Sequence, residues 1–130
     1  MILAVLDLFY KKIIIENKIY FNDDLAKSFS NTFNLIRIEG DCNQPAPPFF
    51  HLRTSSFWKH KVKSGCEVQY ANLSTSGGGT KRIEENIDYA YLDSSTYQLF
   101  SNKEMRQSLR ELIITILNPL SNFENSAPIE

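Results

Sequence analysis

The chain has 130 residues and a formal charge of -1, with 42% hydrophobic and 22% charged residues. One domain fits that length, and the globular balance excludes wholesale disorder. A pI near 6.1 excludes a protein that coats nucleic acid by bulk charge, so a nucleic-acid site here has to be a local patch.

The opening Met1-Ile2-Leu3-Ala4-Val5-Leu6 has no basic residue before it and no small-residue cleavage site after it, and Asp7 interrupts it. It therefore does not read as a signal peptide. Ile2, Leu3, Val5, Leu6, Phe9 and Tyr10 instead predict a helix within residues 1–15 that is apolar on most faces and buried. No capping residue precedes Ile2, which points to a fragment that lacks upstream residues. Ile13-Ile14-Ile15 is β-branched, Glu16-Asn17-Lys18 is a turn signal, and Ile19-Tyr20-Phe21 reads as a short extended stretch. Asn22 or Asp23 caps a second helix over about Asp24 to Ile38, with Leu25, Phe29, Thr32, Phe33 and Ile36 on one face and Gly40 closing it.

The prolines in residues 41–48 predict a stiff extended connector. Residues 49–53 read as a strand, 54–56 as a turn and 57–62 as a returning strand, which together make a hairpin. Residues 74–79 form a glycine-rich loop, and Lys81 to Tyr89 a short helix. Asp93, Ser94 or Ser95 caps a further helix through Phe100. Lys103 to Leu117 is the strongest helix, with Met105, Leu109, Leu112, Ile113 and Ile116 on its apolar face and Asn118-Pro119 ending it. The expected fold is mainly α (α+β): a helical domain over 1–118 with one small β-hairpin, followed by a flexible tail over 119–130.

No run approaches the roughly 20 apolar residues needed to span a bilayer. Two cysteines, Cys42 and Cys66, are too few for a disulfide scaffold. The expectation is a soluble, cytoplasmic protein with reduced thiols and no membrane partner.

The densest chemical feature is residues 51–63. His51, Arg53, Lys59, His60, Lys61 and Lys63 fall there with Phe57 and Trp58 between them, and no acid interrupts. On a hairpin, His51 and Arg53 share one face, and Lys59, Lys61 and Lys63 share another. Such an array of donors beside aromatic surface suits a phosphate backbone. Lys81 and Arg82 add charge beside the glycine loop. That loop lacks the spacing of a phosphate-binding P-loop. Cys42, His51, His60 and Cys66 are too widely spaced for a zinc motif. Glu67-Val68-Gln69 approaches the Glu-x-Lys pattern of metal-dependent nucleases but lacks its lysine. No cofactor or metal is expected.

The run Pro48-Phe49-Phe50-His51-Leu52-Arg53, followed after a short turn by Phe57-Trp58, resembles the non-catalytic domain of predicted HNH-type restriction endonucleases. Leu3-Ala4-Val5-Leu6-Asp7-Leu8 resembles that domain's first helix. Asp88-Tyr89-Ala90-Tyr91-Leu92-Asp93, then Tyr97-Gln98-Leu99-Phe100, resembles its C-terminal half. The domain is similar to the sulfur-binding domain of type IV restriction enzymes, which reads a phosphorothioate sulfur in an apolar pocket flanked by cations. The resemblance implies that His51 and Arg53 face DNA. It also implies that Tyr91 and Leu92 line an apolar pocket, on positions where the family tends to read Gly-Gly-aromatic/Leu-Pro. Asp93 stands in place of that proline, and a carboxylate beside phosphate is repulsive unless it turns inward as a helix cap.

The expected function is a DNA-recognition module of a restriction-type defence protein, without catalysis of its own. His51, Arg53, Lys59, Lys61, Lys81 and Arg82 would contact DNA, and Trp58 would anchor the core. One rival is an interaction or oligomerisation domain that docks on an HNH nuclease domain or on a second copy. The other is a small metal-dependent nuclease.

Overall fold

The computed structural model describes residues 1–36, 43–74 and 78–117. Gly40, Cys42, positions 75–77 of the glycine-rich loop and the 119–130 tail lie outside the described residues. Helix α1 (Ile2–Tyr10) runs through the middle of the molecule, with Leu3, Ala4, Val5, Leu6, Leu8 and Phe9 buried. It stops where Lys12 takes a positive φ of 62°, and Ile13 and Ile15 are then left exposed. Helix α2 (Asp23–Leu35) packs along it, capped as expected by the Asn22 side chain, which accepts from the Leu25 amide. Ala4 is fully buried between the two helices, and the buried Ser28 hydroxyl of α2 lies 2.8 Å from the Ala4 carbonyl.

The expected connector and first strand are corrected together. Residues 46–51 form helix α3 (Ala46–His51), and Leu52–Thr54 follow as a 3-10 turn. Pro47 and Pro48 fall in the first turn of α3, where the missing amide hydrogens have no intrahelical partner to lose. Phe49 and Phe50 are both fully buried. A strand would turn adjacent side chains to opposite faces, whereas a helix places them about 100° apart, so both can enter one core.

Strand β1 (Trp58–Val62) does form, but its partner is β2 (Ile87–Leu92), antiparallel. Between them stand the short helices α4 (Glu67–Ala71) and α5 (Thr80–Asn86). Gly78 and Gly79, with φ of 76° and 96°, launch α5 from the glycine-rich loop in a backbone region that suits glycine. The predicted helix over Lys81 to Tyr89 thus ends at Asn86, because Ile87, Ala90 and Leu92 are drawn into the sheet as its buried face. Helix α6 (Ser94–Ser101) begins on the Asp93 cap, and α7 (Lys103–Leu117) has the bounds read from the sequence. The fold is mainly α with one small two-stranded antiparallel sheet, and no helix among the described residues is long and apolar enough to cross a membrane.

The apolar face of α7 is rotated from the expected one. Leu109, Ile113 and Ile114 pack against the core, while Met105, Leu112 and Ile116 are exposed. The side of α7 that α1 and α6 meet decides this, not the helix's own periodicity.

Candidate nucleic-acid interface

The sheet has a buried face and an open face. On β1, Trp58 is buried and His60 half-buried, while Lys59 and Lys61 alternate outward. On β2, Ala90 and Leu92 are buried while Tyr89 and Tyr91 turn the other way. The register pairs Lys59 with Tyr91 and Lys61 with Tyr89, so both lysine–tyrosine pairs stand on the open face.

A third chain segment extends this face. Ile19 and Ala90 exchange both backbone hydrogen bonds, at 2.7 and 2.8 Å. Two residues earlier, the Asn17 side chain copies a strand's hydrogen bonding. Its amide nitrogen donates to the Leu92 carbonyl at 2.7 Å, and its oxygen accepts from the Leu92 amide at 2.8 Å. With Asn17 beside Leu92 and Ile19 beside Ala90, Lys18 falls beside Tyr91 and Tyr20 beside Tyr89. The Tyr20 and Tyr89 rings meet edge to face at 5.7 Å, in keeping with that register. The open face is therefore two rows deep: Lys59, Tyr91 and Lys18 in one, Lys61, Tyr89 and Tyr20 in the other.

The charges on this face are unevenly partnered. The Lys18 ammonium pairs with Glu16 at 3.6 Å and lies 5.3 Å from the Tyr89 ring centroid. Glu16, followed by the two tyrosines, raises its pKa. Among the described residues, Lys59 and Lys61 lie within ion-pair distance of no carboxylate. Asp93 caps α6, accepting from the Thr96 amide at 2.9 Å. Hydrogen bonds from the Thr96 side chain and backbone lower its pKa most, and Lys59 contributes beyond them. The carboxylate that the sequence placed against DNA is thus engaged in starting α6.

The basic cluster of residues 51–63 is divided between separate surfaces. His51 and Arg53 sit on α3 and the 3-10 turn, not on a strand that shares a face with the lysines. The exposed Arg53 guanidinium lies 4.4 Å from the Phe50 ring centroid and 5.6 Å from that of Tyr70. Lys63 leaves the sheet, since β1 ends at Val62 beside a register irregularity, and its ammonium donates to the Glu84 carbonyl at the end of α5. Lys81 and Arg82 are exposed in the first turn of α5.

His60 turns inward. Its ring stacks on Phe49 and Phe50 at centroid distances of 5.4 and 5.6 Å. The Trp58 indole donates to its Nε2 at 3.1 Å, and its Nδ1 lies 2.8 Å from the Tyr70 hydroxyl. Nε2 also lies 3.2 Å from the Phe49 carbonyl, so it faces both a donor and an acceptor. Burial pushes the His60 pKa down to about 4, the Phe49 carbonyl opposes it, and the Arg53 charge adds to the fall. Burial also raises the Tyr70 pKa. Trp58, 1% exposed, is a core anchor as expected.

The apolar pocket implied by the resemblance is not assembled from its two residues. Tyr91 and Leu92 are neighbours on a strand and face opposite ways, and Leu92 is 1% exposed. Among the described residues no three His, Cys, Asp or Glu side chains gather where a metal ion could sit. The segment Glu67-Val68-Gln69 lies in α4, not on a strand. Cys66 is a free thiol with its sulfur 3.5 Å from the Glu85 carbonyl.

The residues missed in the sequence are Asn17, Lys18, Tyr20 and Tyr89. Alternation along residues 87–92 was available as a strand signal, but the helix reading of 81–89 hid it. Nothing local marks Asn17 as an edge partner for a residue 75 positions away. Compared with family models and with curated proteins, the chain matches none.

Proposed function

We propose that this chain is a DNA-binding recognition module that holds the phosphate backbone on the open face of its sheet. The observation that supports the reading is the pairing of Lys59 with Tyr91 and Lys61 with Tyr89, with neither ammonium group within ion-pair distance of a carboxylate among the described residues. Cations fixed at strand spacing, about 6.7 Å apart for residues i and i+2, match a polyanion, and the rings between them supply apolar surface. The restriction-type context rests on the resemblance alone. His51 and Arg53 belong to a separate surface in this proposal, and Lys81 and Arg82 to another.

The test is a fluorescence-anisotropy titration of labelled DNA against salt. Binding should weaken with rising salt. Lys59→Ala/Lys61→Ala should weaken it further and flatten the log–log salt slope by roughly 1.5 to 2. A slope unchanged by the double substitution refutes the reading.

A second reading, an interaction or oligomerisation domain, is favoured by one observation. Met105, Leu112 and Ile116 are 51%, 57% and 64% exposed along one stripe of α7. Sedimentation of the chain against a Met105→Ser/Leu112→Ser variant tests it. A concentration-dependent assembly lost in the variant supports it, and a monomer at all concentrations removes the case for self-association.

A further inference from the structure

We infer that the nucleic acid this face takes is single-stranded, with bases stacked on Tyr91 and Tyr89 and phosphates on Lys59 and Lys61. The inference rests on the reading above and names its substrate class.

The geometry of the rings carries it. The Tyr89 and Tyr91 centroids are 6.2 Å apart and their planes are inclined at 65°. Bases in a duplex lie parallel with a rise of about 3.4 Å. Two bases that each cover one of these rings are thus nearly twice as far apart as duplex neighbours and turned relative to each other. An unpaired strand adopts that spacing without breaking base pairs, whereas a duplex must unstack to do so. The lysines repeat the same step, because each stands directly across from one tyrosine in the register. One nucleotide per lysine–tyrosine pair is therefore the natural period of the face, and Tyr20, 45% exposed beside Tyr89, extends its aromatic edge.

Lys59, Lys61 and Tyr20 are exposed on this face, and Tyr89 and Tyr91 are half-buried. Lys18 already places its ammonium over the Tyr89 ring, and Glu16 is its only ion-pair partner among the described residues. A cation over a half-buried ring at the surface is worth no more than a base stacked on it, so a base can displace Lys18, whose charge then adds to the phosphate contacts. A duplex presents phosphates but no base faces. It would meet the lysines and leave the tyrosines without a role.

The experiment compares a 12-nucleotide mixed-sequence single strand with the same sequence as a duplex, at low salt, using the full chain. The single strand should bind at least tenfold tighter. Tyr89→Ala/Tyr91→Ala should remove that preference, with a loss of roughly 5- to 150-fold per ring. Tyr89→Phe/Tyr91→Phe keeps the rings and should retain single-strand affinity, with circular dichroism confirming that both variants fold. Duplex binding equal to or tighter than single-strand binding, but still dependent on Lys59 and Lys61, overturns the inference and leaves the proposed function standing. So does a single-strand preference that survives the alanine pair. Binding to neither probe overturns both.

Discussion

His60 offers a quantitative test of how the core beneath the sheet is held. Its ring lies within hydrogen-bond distance of the Trp58 indole, the Tyr70 hydroxyl and the Phe49 carbonyl, and burial favours the neutral imidazole. Protonation would place a charge in a half-buried site near Arg53, a cost that the Phe49 carbonyl offsets only in part. The folded pKa of about 4 therefore lies below the ordinary value of 6.5. As pH falls, the unfolded chain takes up the proton first. The stability due to this group is fully present above about 6.5 and drains away as pH falls toward 4. Each pKa unit is worth about 1.4 kcal/mol, so the whole contribution is about 3 kcal/mol, of which about 2 kcal/mol is gone by pH 5. His60→Asn removes the titration while leaving an amide oxygen for Trp58 to donate to. Urea denaturation of both proteins between pH 7 and 4.5 reads the result. The parent should lose about 2 kcal/mol more than the variant between pH 7 and 5. Parallel curves would show that His60 takes its proton freely in the folded state, and burial would then not hold it neutral.

Asn17→Ala removes both side-chain bonds to Leu92 and should cost about 1 to 3 kcal/mol. Amide hydrogen exchange at Ile19 and Ala90 should speed up more than exchange in α1, and uniform protection would argue against an edge role. Ser28→Ala breaks the buried link from α2 to the Ala4 carbonyl and should lower unfolding free energy by about 1 kcal/mol. Asp93→Asn keeps the α6 cap, because Asn and Asp cap comparably, but removes a negative charge near Lys59. Its thermal midpoint should fall only slightly, by the lost charge at the helix start, while DNA binding tightens several-fold, whereas Asp93→Ala should lower the midpoint further and reduce α6 helicity.

Local chemistry alone determined much of the helical framework. The Asn22 and Asp93 caps were legible because a short polar side chain before an apolar period has one favourable use, to accept an orphan amide. The burial of α1 followed from apolar residues on nearly every face. The 15 residues of α7 followed from an unbroken helical period that ends at Asn118-Pro119.

The sheet was different, because strand pairing is a choice among distant partners that no local pattern expresses. β1 was legible as a strand, but residues 49–53 and 87–92 were both apolar enough to pair with it. Only the core decided, by burying Phe49 and Phe50 side by side on a helix and turning Ala90 and Leu92 under the sheet. The same decision divided the basic cluster. It sent His60 inward, set Arg53 over Phe50, and left Lys59 and Lys61 opposite tyrosines from a segment that had read as helix. Which cations share a surface is a property of register and packing, and both arise between residues far apart in the chain.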